Sequence, residues 1–303
     1  MARALLDGGI ELEYETFGSP DDPVLLLVMG LGAQMIVWDE RFCRQLADGG
    51  RYVVRFDNRD IGLSTKFDGQ HVDVMSLVLA TFAKAPIPTV PYDLADMAAD
   101  AIGLLDHLGV ERAHVVGASM GGMIAQTMAI EHAHRLLSVT SMMSTVGDVA
   151  YGTPSPEALA VLLTPSPTTR EQAIAQAAAY AVTCSKRYFD LDWAQRLAAD
   201  SFERCSYPEG VMRHIAAVCA GGDRSEALRG ISVPVLVIHG LDDVLINPSG
   251  GRRTAELIPG ATLLEVADMG HDMPEPLWPT LISAILSHGD AATAGFGVSE
   301  ASS

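Results

Sequence analysis

From Ile10 to Phe17 apolar and polar residues alternate, the two-residue period of a half-buried strand, and Gly18-Ser19-Pro20-Asp21-Asp22-Pro23 closes the run in a turn. Val24 to Met29 is then apolar without a break, the pattern of a strand covered on both faces in a parallel sheet. The loop Gly30-Leu31-Gly32 leads into a helix ending near Gly49-Gly50, and Tyr52 to Phe56 reads as another short strand. Between 93 and 109, Leu94, Met97, Ile102, Leu105 and Leu108 recur at helical spacing, with Gly109 as the C-terminal stop. Ala113–Ala118 predicts a strand, Met120–Glu131 a helix and Val139–Met143 a strand. Val233–His239 and Ala261–Val266 predict two late strands, and Leu277–Leu286 a closing helix. Short apolar strands alternating with helices predict an α/β fold, a mostly parallel sheet flanked by helices with right-handed crossovers.

One stretch breaks the rhythm. From 147 to 225 no segment resembles a sheet strand, and alanine-rich helical patterning (Ala173, Ile174, Ala177, Ala178, Ala181) follows Pro154, Pro156, Pro165 and Pro167. The expected organisation is a core of residues 1–146 and 226–288, with 147–225 inserted as a helical cap over the C-terminal edge of the sheet. Residues 289–303 are small and polar and read as a loose tail.

Composition narrows the function classes. The chain has 303 residues, 49% hydrophobic and 19% charged, so a sizeable core is within reach. Twenty Lys and Arg against 38 Asp and Glu give a net charge of −18, which argues against nucleic acid and anionic membranes as partners. No apolar run is long enough to span a bilayer; the one from Val74 to Ala83 ends at Lys84 and Pro86. Cys43, Cys184, Cys205 and Cys219 form no CxxC pair and have no metal-ligand spacing, so the expectation is reduced thiols in a cytoplasmic protein, without a signal peptide, metal or cofactor.

The chemistry concentrates in Gly117-Ala118-Ser119-Met120-Gly121, a G-x-S-x-G placed directly after an apolar strand and before a helix. A sharp turn there strains the serine and demands glycines beside it, and the helix N-terminus faces the charge that develops during acyl transfer. Serine is a weak nucleophile without a base. For a nucleophile on this kind of turn the partners follow in the order Ser, acid, His. Downstream, the strand 235–239 ends in Asp242 and Asp243, either of which could orient an imidazole, and His271 follows in a loop after the next strand. Asp272 and Glu275 read as solvated rim, and His107, His132 and His134 as helix surface. The Met120 amide is one expected oxyanion donor, and Leu31, in the glycine loop after Val24–Met29, is the second.

With these segments in place the chain resembles the α/β-hydrolase superfamily from about residue 5 to 288. Leu25 to Gly32 resembles its oxyanion-loop strand, Asp57-Asn58-Arg59-Asp60-Ile61-Gly62-Leu63-Ser64 its D-x-R-G-x-G-x-S stretch, and Gly270-His271 its base. His239-Gly240-Leu241-Asp242-Asp243 resembles H-G-x-x-D, whose final aspartate is catalytic; the resemblance therefore implies Asp243 as the acid. Within the superfamily the chain is most similar to bacterial carboxylesterases of the lipase-G and aclacinomycin methylesterase type. Two positions depart: Met29 stands where histidine is usual, removing a side chain that often braces the oxyanion loop, and Asp60 where glycine is usual.

The implied function is cleavage of a small-molecule carboxylic ester through an acyl-enzyme on Ser119, since relatives that open alkyl halides or epoxides carry aspartate there. Alternatives are perhydrolysis, as in cofactor-free haloperoxidases, and a non-catalytic ligand-binding protein of the same fold. A homo-oligomer is compatible with this reading, and substrate-binding residues stay unassigned. Val74, Met75, Leu77, Val78, Leu79 and Phe82 are equally well read as a pocket mouth or as ordinary core.

Overall fold

The computed structural model describes residues 1–300, with side chains to residue 294. Its strands are β1 (Ala2–Leu5), β2 (Glu11–Phe17), β3 (Val24–Val28), β4 (Tyr52–Phe56), β5 (Ala113–Ala118), β6 (Leu136–Met142), β7 (Val235–Gly240) and β8 (Thr262–Val266). They form one sheet in the order β1-β2-β4-β3-β5-β6-β7-β8. β1 pairs β2, and β2 pairs β4, antiparallel; every other neighbouring pair is parallel.

Helices cover both faces. On one lie α1 (Glu40–Asp48) and the closing helix; on the other lie α3 (Leu94–His107) and α4 (Met120–Glu131), with α2 (Val74–Ala83) farther out. The two-residue strand period divides the core accordingly. Leu26, Val28, Val115, Val139 and Val237 pack with Met97, Leu105 and Ile124, whereas Leu25, Leu27, Val116 and Ile238 pack with Phe42, Leu46, Leu281 and Ile285. Burial on both faces explains why β3 reads as an uninterrupted apolar run. β3 is followed by α1 on one face and β5 by α4 on the other, so their C-terminal ends open a crevice of the kind where α/β sheets bind ligands.

Between β6 and β7 come α5 (Pro156–Leu162), α6 (Arg170–Ala177), α7 (Leu191–Arg204), α8 (Pro208–Gly221) and α9 (Ser225–Leu228), and no strand. After β7 follow α10 (Ser249–Leu257) and, after β8, α11 (Trp278–Glu300).

The C-terminal end differs from the sequence reading. Instead of a loose tail from Gly289, α11 continues to Glu300; only residues 301–303 lie outside the described residues. Arg51 pairs with Asp290, Ala292 is buried, and Thr293 Oγ1 lies 3.4 Å from His114 Nε2. Arg51 and His114 lie far back in the chain, so the tail's own composition could not announce them. The Val74–Pro91 stretch also finds a place unlike a mouth. Leu77 packs on Ala216 and Cys219 of α8, while Met75, Leu79 and Phe82 are exposed.

Candidate active site

Ser119 sits between β5 and α4 with φ 57° and ψ −120°, a left-handed conformation that costs about 1–3 kcal/mol for a residue with a Cβ. Its amide donates to Met142 O at 2.9 Å, and its carbonyl accepts from Gly122 N–H at 2.9 Å. The neighbouring glycines are required sterically. A Cβ on Gly117 would stand 2.0 Å from Gly121 O, and one on Gly121 2.1 Å from Val28 O, backbone atoms that cannot yield.

The structure brings the three distant predicted side chains together. Ser119 Oγ lies 3.0 Å from His271 Nε2, and His271 Nδ1 lies 2.7 Å from Asp243 Oδ2. Asp243 Oδ1 accepts the backbone N–H groups of Leu245 and Ile246, each at 2.9 Å. Burial opposes charge on Asp243, but His271 and the hydrogen bonds from His239 and His271 outweigh it and hold the carboxyl at about 2. Nδ1 of His271 therefore faces an ionised acceptor, which leaves Nε2 free to take a proton from Ser119. Asp242 is half-buried, and its backbone N–H donates to Met269 O at 2.9 Å. The two adjacent aspartates are thus separated by geometry.

The loop after β3 meets Ser119 closely: a Cβ on Gly30 would stand 3.0 Å from Ser119 Cβ. Among the described residues the amides of Leu31 and Met120 have no hydrogen-bond partner, and Met120 opens α4, where the first turn's N–H groups lack intrahelical acceptors. Both residues line the same cavity as Ser119 and His271. That cavity has a volume of about 1290 Å³ and is walled by Tyr180, Phe189, Trp193 and Phe202 from the 147–225 segment and by Trp278.

Two neighbouring polar residues, Thr183 and His214, were not singled out in the sequence. Thr183 O accepts from His271 N–H at 2.6 Å, and His214 Nδ1 accepts from Gly32 N–H at 3.2 Å. His239, fully buried in β7, hydrogen-bonds Ile246 O at 2.7 Å and lies 3.5 Å from Asp243 Oδ2. Asp272 is not a solvated rim residue: its Oδ1 accepts from Ser185 N at 2.8 Å and Gly270 N at 3.2 Å, and burial raises its carboxyl above the usual range. Glu275 is exposed and pairs with Arg41 at 2.7 Å. No local pattern flags Thr183 or His214, since their contacts to His271 and Gly32 join residues far apart in the chain. Among the described residues no cluster of His, Cys, Asp or Glu could hold a metal ion, and no helix is long and apolar enough to cross a membrane. All four cysteines are unpaired thiols.

Comparison with known proteins agrees with the fold. The chain is 30% identical over 315 residues to rhodomycin D methylesterase of Streptomyces sp. (strain C5), covering 96% of this chain and 99% of that protein. It is 28% identical to 3-oxoadipate enol-lactonase 2 of Acinetobacter baylyi, covering 86% of each chain. The crystal structure of the enol-lactonase from Burkholderia xenovorans LB400 superimposes with a TM-score of 0.71 over 95% of this chain and 99% of that one, at 24% identity. Residues 23–275 match the alpha/beta hydrolase fold family, and with the sheet order above the chain belongs to that family.

Proposed function

We propose that this protein is a serine esterase in which Ser119 is the nucleophile, His271 its general base and Asp243 the residue that orients and stabilises the imidazole. The observation that carries the reading is the hydrogen-bonded chain from Ser119 Oγ through His271 to Asp243, at 3.0 and 2.7 Å, on the wall of a large, largely apolar cavity. The methylesterase and enol-lactonase relatives support an ester-type bond as the one cleaved.

His271 Nε2 takes the proton of Ser119 Oγ as that oxygen attacks the ester carbonyl. Charge then builds on the carbonyl oxygen, where the amides of Met120 and Leu31 and the N-terminal end of α4 receive it. The leaving alcohol takes the proton from His271. Water, deprotonated by the same nitrogen, opens the acyl-enzyme to release the acid and free Ser119. Asp243 stays ionised throughout. Each step uses only side chains, backbone amides and water.

Residues 147–225 act in this reading as a cap over the core formed by 1–146 and 226–288. The aromatic residues of the cap in the cavity wall favour bulky hydrophobic esters, because they offer a broad apolar surface to the acyl or alkyl group. The test is fluorophosphonate labelling and turnover of p-nitrophenyl esters of increasing acyl size, on wild type and Ser119→Ala. Labelling and turnover vanish together in the variant if Ser119 is the nucleophile; turnover that survives in the variant removes it.

A further inference from the structure

The loop carrying Leu31 is an open stretch between β3 and the 3₁₀ turn Met35–Val37, yet an oxyanion donor has to be held to within a fraction of an ångström. Met29, at the start of that loop, has no polar side-chain hydrogen to contribute. The loop is held at its first residue by Asn58, whose Nδ2 donates to Met29 O at 2.9 Å. Its other end is held from outside the sheet. Gly32 takes φ +68°, and α8 lies against it through two residues one turn apart. Val211 fills the space beside its Cα, where a Cβ would come within 3.3 Å, and His214 Nδ1 accepts its N–H at 3.2 Å.

His214 is fully buried, and its other nitrogen lies 2.8 Å from Arg59 O. The tautomer follows from the partners: a peptide N–H can only donate, so Nδ1 carries no proton and Nε2–H donates to the carbonyl. Burial also pushes the imidazole down to about 4, so the ring keeps its acceptor at neutral pH. The preceding residue fixes α8 itself. Arg213 Nε and Nη2 reach Asp60 Oδ2 and Oδ1 at 2.7 and 2.9 Å, in a pair buried on both sides. Three consecutive residues, Asn58, Arg59 and Asp60, therefore hold Met29, His214 and Arg213 in turn.

We infer that His214 is the positioning residue of the oxyanion loop: through Gly32 N–H it sets the direction of the adjacent Leu31 amide toward Ser119. The inference rests on the esterase reading above. It assigns to α8, a helix lying outside the sheet core, a direct part in the rate of the core's chemistry.

Two near-isosteric substitutions divide the histidine's two bonds. In His214→Asn the side-chain oxygen occupies the place of Nδ1 and can still accept from Gly32. In His214→Gln the amide nitrogen occupies the place of Nε2, keeps Arg59 O and gives up Gly32. With a p-nitrophenyl ester, His214→Gln is expected to lower kcat roughly tenfold or more with KM within about twofold, and His214→Asn to stay within about threefold of wild type. A purely structural histidine predicts equal kcat in the two variants. Unchanged kcat in His214→Gln, or equal losses in both, overturns the assignment while leaving the esterase reading intact. Absence of ester turnover in wild type overturns both. Should a variant fail to fold, hydrogen exchange on wild type decides, because Gly32 N–H must be protected; exchange there at the rate of an open loop overturns the assignment.

Discussion

The turn at Ser119 and the 147–225 segment reach the same site by different physics. At the turn, geometry is enforced by backbone against backbone: Gly117 meets Gly121, Gly121 meets Val28, and the Ser119 amide joins β6. The inserted helices contribute few buried apolar side chains, chiefly alanines such as Ala158, Ala173, Ala177 and Ala216. They attach through polar contacts instead. Arg204 reaches Asp57 at 2.7 Å, Arg213 reaches Asp60, Gln34 Nε2 donates to Ser201 O and Cys205 O, and Ser185 Oγ donates to Asp268 O. Close packing of backbone leaves no latitude, whereas buried charge pairs are strict in partner and direction but tolerate variation in the residues around them. Ser119 is thereby fixed by the core, and the loops beside it are held by the insertion.

The largest effect tests the core side. Ser119→Ala should reduce ester turnover by ~10⁴-fold or more while leaving the thermal transition nearly unchanged. Next, Gly121→Ala places a methyl group into Val28 O and should displace the turn, with turnover falling ~100-fold and stability falling with it. A variant that keeps full activity would show that the turn has more room than the backbone contacts allow.

On the insertion side, Asp60→Asn leaves the Arg213 charge buried without its partner and should cost about 3–5 kcal/mol in denaturant unfolding. A loss below about 1 kcal/mol would mean that the insertion is anchored mainly elsewhere. His214 and His114, both held down to about 4 by burial, with Arg51 adding to the effect at His114, each contribute to the pH dependence, and burial lowers His288 in the same direction. Between pH 6.5 and 4 the unfolded chain binds protons at these positions that the folded chain does not. The stability these groups contribute is therefore complete above about pH 6.5 and falls as pH drops, by up to about 3 kcal/mol each for His214 and His114. His214→Asn should flatten this slope in unfolding curves measured across that range. The smallest effect is expected for Gln34→Leu, which takes a donor from Cys205 O, leaves Ser201 O with the Cys205 N–H alone, removes the acceptor of Arg204 Nη1, and should cost about 1–2 kcal/mol.

The sheet and the serine turn were legible because their signals are local. An unbroken apolar run is what burial on two faces requires, and Gly117-x-Ser119-x-Gly121 is what a crowded strand-to-helix turn requires. The choice between Asp242 and Asp243 was not local. It depended on a family spacing, and in the fold only Asp243 faces His271. The residues that brace the site were silent for the same reason. Arg213-His214 looks like any polar pair on a helix until α8 is laid against Asp60 and Gly32. The tail misled because Asp290 and Thr293 meet Arg51 and His114, residues more than a hundred positions earlier in the chain.

By itself, the sequence determined the α/β alternation, the break between 147 and 225, and the strained turn that presents Ser119, since periodicity and local sterics are properties of neighbouring residues. Tertiary structure alone decided how His271 and Asp243 line up with Ser119, what walls the cavity, and that His214 and Thr183 hold the loops on either side. Those outcomes depend on distances between residues far apart in the chain, as in the bond from Gly32 to His214 across 182 positions, and such distances exist only once the chain has folded.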